Sequence, residues 1–211
     1  MTRSEETKRP APVGYNLVPP PGWDHIPLKD GSTNDVILRI VDRAVSELPQ
    51  ELPRDDVSRA RMELFKQLKK AAKQAAKGKG LSLYLPVERI HGIFVPASFV
   101  VSEMLVGQGA DVPTEEVLRL LAADRGESET VDVDGVRATR IERIVPPEEG
   151  TEIEYASRRV EYVVPVPGAT SPQWLTVAFS TIGDGHPDGE LSDVLVDVFD
   201  AVMTTFRWSY A

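Results

Sequence analysis

The stretch from Arg158 to Trp208 constrains this chain more than any other, because its hydrophobic period changes from two to nearly four within fifty residues. Val160, Tyr162, Val164 and Val166 fall at alternate positions, on one face of a strand. After a turn marked by Pro167, Gly168 and Pro172, Leu175, Val177 and Phe179 alternate with Trp174, Thr176 and Ala178. Period two in β-branched and aromatic residues predicts an antiparallel strand pair. Leu191, Val194, Leu195, Val198, Phe199, Val202 and Phe206 then recur at three- and four-residue steps, the stripe of a helix laid on that pair. A short closing strand at Trp208 follows.

The remaining segments add to this unit. Residues 1–14 are charged and proline-bearing and are expected to form a disordered tail; 15–211 is expected to be one α+β domain. Tyr15 to Leu28 holds too many prolines for a central strand and suits an edge strand or extended cover, with Trp23 pinned into the core. Thr33, Asn34 and Asp35 offer caps for a helix with Val36, Ile37, Ile40, Val41, Ala44, Val45 and Leu48 on one stripe. Pro49 and Pro53 bracket a break. Asp55 and Asp56 then open a second helix with Val57, Leu64, Phe65, Leu68, Ala72 and Ala75 inward, ended by glycines at 78 and 80. Residues 33–80 thus make a helical hairpin.

Strands are expected at 81–86 and 97–106, and a short helix from Asp111 or Thr114 to Ala122. A β-hairpin is expected over 131–145, turning at Asp134-Gly135. The fold class is α+β: an antiparallel sheet of about six strands with the final helix on one face. The helical hairpin covers part of the other face or stands to one side.

This order of elements, with PPGW, SFVVSEMLV, the DG hairpin, the pair VEYVVPVPG…QWLTVAFST and the helix VFDAVMTTFRW, resembles the PsbP-like α/β/α sandwich superfamily. That group includes a Ran-binding import factor, LpqN-type actinobacterial proteins and Eag-type chaperones. The similarity covers roughly 97–208 plus Trp23. Residues 33–80 elaborate it, and the lipid-anchor cysteine of LpqN-type proteins has no counterpart. The resemblance implies binding of another protein, a peptide or a hydrophobic segment; separately, no cofactor is expected.

Composition narrows the chemistry. A net charge of −9 argues against general nucleic-acid binding, and zero cysteines exclude disulfides, thiolate metal sites and a cysteine nucleophile. No apolar run reaches the length of a membrane span and the first residues lack a signal-peptide core, so a cytoplasmic protein without membrane insertion is expected. Against this acidic background, Arg54 to Lys79 carries nine basic and three acidic side chains, a local +6 that leaves −15 elsewhere. Arg59, Lys66, Lys70, Lys73 and Lys77 share a helical face: a patch for an acidic partner, or a solvated face. Tyr162, Val164 and Trp174 are candidates for a hydrophobic groove if one face of the sheet is open, and for core if it is covered.

Catalytic signatures are sparse. Asp184, His186 and Asp188 alternate two carboxylates and an imidazole that can ligate a cation, but glycines and Pro187 between them also describe a plain turn. His25 and His91 have no local catalytic companion, and Gly107-Gln108-Gly109 reads as a tight turn in preference to a phosphate loop. The leading expectation is a non-enzymatic cytoplasmic adaptor or chaperone, with a metal-assisted or acid/base enzyme at Asp184/His186/Asp188 as the alternative. A link to a secretion system fits the first.

Overall fold

A computed structural model describes residues 10–49, 51–89, 92, 95–105, 116–119, 126–147, 155–169 and 173–211. Strands β1 (Gly14–Asn16) and β2 (Trp23–Pro27) lead into helices α1 (Thr33–Ser46) and α2 (Arg54–Lys77), then β3 (Gly80–Pro86) and β4 (Ala97–Leu105). β5 (Glu127–Val133), β6 (Val136–Val145), β7 (Ser157–Pro165) and β8 (Gln173–Thr181) follow, then helix α3 (Glu190–Thr204) and β9 (Arg207–Ser209).

The main sheet has seven antiparallel strands in the order β2-β3-β4-β8-β7-β6-β5. It is two meanders joined by their last strands, with β4 and β8 paired from Ala97↔Thr181 to Leu105↔Gln173. The seventh strand comes from the proline-rich opening segment, which splits in two. β2 extends the edge beside β3, whereas β1 leaves the sheet and pairs with β9. The fold therefore starts earlier than the expected tail boundary at 14: the Val13 N–H donates to the Ser209 carbonyl, and Gly14 already belongs to β1.

Side-chain alternation sends each strand's residues to two covered faces. On one, Phe99, Val101, Val160, Tyr162, Val164, Val177 and Phe179 meet α3 through Leu195, Phe199 and Val202. Phe179 and Phe199 stack with ring centroids 4.8 Å apart, and Trp23 reaches Phe99 at 5.6 Å. The buried stripe of α3 is rotated from the one expected. Val194 and Val198 are exposed, whereas Val196 and Met203 are buried, because the residues flanking Phe199 on its inner side meet the sheet.

On the other face, α1 and α2 cover the β2-β3-β4 end through Ile37, Ile40, Val41, Leu68 and Ala72 against Ile26 and Leu83. The helical stretch at 116–119 covers the β6-β7-β8 end, with Val117 and Leu118 against Ile141, Val163 and Trp174.

Two local signals resolve differently from expectation. Ser32 is the N-cap residue of α1, and Asp30 holds that turn by accepting from the Ser32 N–H at 2.9 Å and hydroxyl at 2.7 Å. At the end of α2, Gly78 is the C-cap as expected, but the left-handed residue is Lys79 (φ 59°). Gly80 is needed for closeness instead, since a Cβ there would stand 2.6 Å from the Ala75 carbonyl oxygen. The Asp134-Gly135 turn is as expected: φ is 52° and 75°, the pair of positive values a two-residue hairpin requires.

Candidate partner-binding surface

The helical hairpin is built asymmetrically. α1 buries Val36, Ile37, Ile40 and Val41 within 14 residues, whereas the 24 residues of α2 bury only Leu68 and Ala72. At 1.5 Å per residue the two helices measure about 21 and about 36 Å, so α2 runs well past its partner. Its first half meets α1 across an open groove of about 610 Å³, floored by Leu38, Val41, Met62 and Phe65. Leu38 is 40% exposed and Met62 69%.

Charge around this groove falls into two groups. Arg61 donates to Asp42 of α1 at 3.0 and 2.5 Å, and Arg59 lies 3.3 Å from Asp56. Lys69 stands over the Phe65 ring at 5.6 Å. The Arg61–Asp42 pair joins the two helices, and the other two contacts lie within α2. Lys66, Lys70, Lys73 and Lys77 are exposed on one continuing stripe and form no ion pair among the described residues. Burial of the two flanking helices thus leaves an apolar trough that runs into a line of unmatched cations.

The other sequence-derived binding residues do not join it. Tyr162 and Val164 lie beneath α3, while Trp174 points to the opposite face, beneath 116–119. All three are buried, so the open sheet face considered from sequence does not exist at these positions. The reason is that both faces carry a helical layer, and adjacent strand residues such as Val163 and Val164 must serve different layers.

Asp184 and His186 approach each other, with Nδ1 3.4 Å from Oδ1, but with Asp188 they do not make a ligand set: the described residues contain no group of three such side chains able to hold an ion. Asp184 Oδ1 accepts from the His186 backbone N–H at 3.3 Å, and the His186 carbonyl accepts from Ser192 Oγ at 3.0 Å. The loop is pinned to the start of α3 while its carboxylates and imidazole face solvent. His91 and Gly107-Gln108-Gly109 lie outside the described residues.

Two polar clusters were not anticipated from sequence. At the margin of α3, Arg140 grips Asp200 with two hydrogen bonds of 3.1 and 2.9 Å and lies 2.8 Å from Glu142. Arg158 joins Glu142 at 2.5 Å and also pairs with Asp193, and Tyr162 donates to Asp200 at 2.8 Å. Burial opposes ionisation of Glu142, but hydrogen bonds from Arg140 and Arg158 prevail and hold its carboxyl below the ordinary value. Burial, reinforced by the Asp200 charge, raises the Tyr162 hydroxyl. Each charge in this cluster already has its counter-charge, which makes it a fastening between α3 and β6-β7. Its sequence signal was faint: polar residues at the inward positions of β6 facing acids seven apart on α3.

The second cluster ties β1 to the sheet. Ser82 Oγ accepts from Tyr15 at 2.7 Å and bonds His25 Nε2 at 2.8 Å, and His25 stacks on Tyr84. Burial disfavours the charged imidazole and lowers the His25 pKa. Beside it, a smaller cavity of about 240 Å³ lies between β1 and the ends of β4 and β8, walled by Tyr15, Met104, Trp174 and Trp208.

No family model matches the chain, and no curated protein matches it. Among solved structures, it aligns with LpqN, a protein involved in cell envelope biogenesis of Mycobacterium tuberculosis. The TM-score is 0.49 with 9% identity, over 93% of this chain and 86% of that one. Among the described residues, no helix is long and apolar enough to cross a membrane.

Proposed function

We propose that this protein is a non-enzymatic binding protein, an adaptor or chaperone, that holds a partner polypeptide on the α1–α2 hairpin. The observation that carries the reading is the open trough floored by Leu38, Val41, Met62 and Phe65, on a helix whose own burial is slight. Apolar side chains left in water at the junction of two helices cost free energy that a partner recovers by covering them. The pairing of charges within the α3 cluster supports a fastening role there, and the PsbP-like resemblance agrees with a binding role.

The absence of cysteine makes the test direct. A Met62→Cys variant labelled with a benzophenone maleimide is illuminated in native lysate beside a Val198→Cys control on the outer side of α3. The expected result is a discrete polypeptide cross-linked from position 62 and not from 198. The same products from both positions, or none from 62, would overturn the assignment.

A further inference from the structure

The trough and the lysine stripe are parts of one helix surface, and together they specify what lies there. Met62, Lys66, Lys70, Lys73 and Lys77 follow one another at steps of four, four, three and four along α2. From Lys66 to Lys77 the stripe runs about 16 Å at 1.5 Å per residue. A third helix seated between two packed helices lays its apolar ridge into their groove and presents its flanks at the same three- and four-residue steps. Resting on the polypeptide-binding reading, we infer that the occupant is an amphipathic helix. Its apolar face fills the Leu38–Met62–Phe65 trough and its acidic flank runs along Lys66, Lys70 and Lys73.

Charge complementarity selects this occupant over the other anionic candidates. Glu63 stands at the trough and Asp55 and Asp56 at the start of α2, and the two arginines lining the trough, Arg59 and Arg61, are already paired with Asp56 and Asp42, so the unmatched cations that a polyanionic backbone needs lie mostly further along the helix. A discrete helix can place its apolar residues there and its carboxylates further along. The trough is also a cleft between two helices, not the broad apolar surface that seats in a bilayer. The division of labour follows from magnitudes. Exposed ion pairs contribute little each and are screened by salt, whereas anchors buried in a groove dominate affinity. The apolar residues therefore set how tightly the helix binds, and the lysines set which helix.

The test uses the full chain and fluorescence anisotropy with synthetic helices of about 18 residues, long enough to form a helix when bound. One carries Leu at i, i+3, i+4 and i+7 with Glu on the flanks; the second replaces each Glu with Lys. Phosphatidylglycerol vesicles and a single-stranded oligonucleotide form separate arms, and sedimentation reports self-association. The Glu peptide is expected to bind, with the Lys peptide weaker by about tenfold at low salt, as three exposed pairs imply. Lys66→Glu/Lys70→Glu/Lys73→Glu is expected to reverse that preference. Met62→Asp is expected to abolish binding of both peptides with the far-ultraviolet dichroism and melting unchanged. Equal binding of the two peptides would overturn the inference. So would binding only to vesicles or oligonucleotide, or a dimer that Met62→Asp dissolves. If the position-62 cross-link persists while the Glu peptide fails to bind, the acidic-helix assignment falls and the binding-protein reading stands. If both fail, both fall.

Discussion

One sheet carries two helical covers, and they are made on opposite plans. α3 buries six of its 15 residues, stacks Phe199 on Phe179, and has its margin fastened by Arg140, Arg158 and their carboxylates. α2 buries two of 24 and leaves a stripe of lysines unmatched among the described residues. A helix needed only to close a core would not be longer yet less buried. α3 is thus built into the core along one full side, whereas α2 is anchored by a narrow stripe and leaves most of its surface in solvent.

The contrast breaks most readily at Phe199. Phe199→Ala is expected to cost about 3–5 kcal/mol, because the ring is encased and the cavity cannot collapse against a seven-stranded sheet. Denaturant titration checks it; a loss below that of Leu68→Ala in α2 would erase the distinction. The fastening comes next. Arg140 is 12% exposed at its side chain, and Arg140→Ala leaves Asp200 without its cation and Glu142 with Arg158 alone. A loss of about 2 kcal/mol is expected, below the roughly 3–5 of a fully buried pair because both carboxylates reach water.

Asp134 adds a third, smaller test on the α3 side. Its φ of 52° suits Asp better than Ala, and its carboxylate accepts the Trp208 backbone N–H at 2.8 Å, tying β9 to the β5–β6 turn. Asp134→Ala is expected to lose about 1–2 kcal/mol by thermal melting, from backbone strain and one charge-assisted bond.

Acid sharpens the comparison further. Glu142 ionises below its ordinary value of 4.5 in the folded state, so its contribution is complete above that value and is lost as pH falls through the lowered one. Melting temperature against pH is expected to fall less steeply below 4.5 in Glu142→Gln than in the wild type; parallel curves would count against the fastening. The smallest effect belongs to α2. Met62→Ser is expected to change stability by less than about 0.5 kcal/mol, as exposed positions do, while weakening partner binding. A large destabilisation there would return α2 to the interior.

How legible this was from sequence depended on whether a signal is local. The strand pair β7–β8, the helix α3 and the Asp134-Gly135 turn each write their geometry into neighbouring residues, and each formed. The stripe of α1 did the same. Periodicity alone puts Val194 and Val198 inward, because a helix of mixed hydrophobicity offers two overlapping stripes, and only the sheet's position chooses between them. The pairing of β1 with β9 joins opposite ends of the chain, and no local pattern marks it. Trp174 was ambiguous for the same reason: alternation says that it faces away from Leu175, not that a helical layer waits there. The lysines of α2 were visible as a stripe, but the trough beside them depends on how α1 lies, which periodicity does not report.

The seam between the two meanders has a consequence for how the molecule comes into being. Ala97 meets Thr181 and Leu105 meets Gln173, so β4 receives its neighbour only when the last third of the polypeptide has emerged. Until then the nascent amino-terminal meander, with its helices attached, offers the ribosome exit an apolar strand with an open hydrogen-bonding edge. Closing so distant a pair is slow compared with forming hairpins, which makes the order of synthesis, and not the depth of the final energy well, the stage at which this chain is most vulnerable to joining the wrong neighbour.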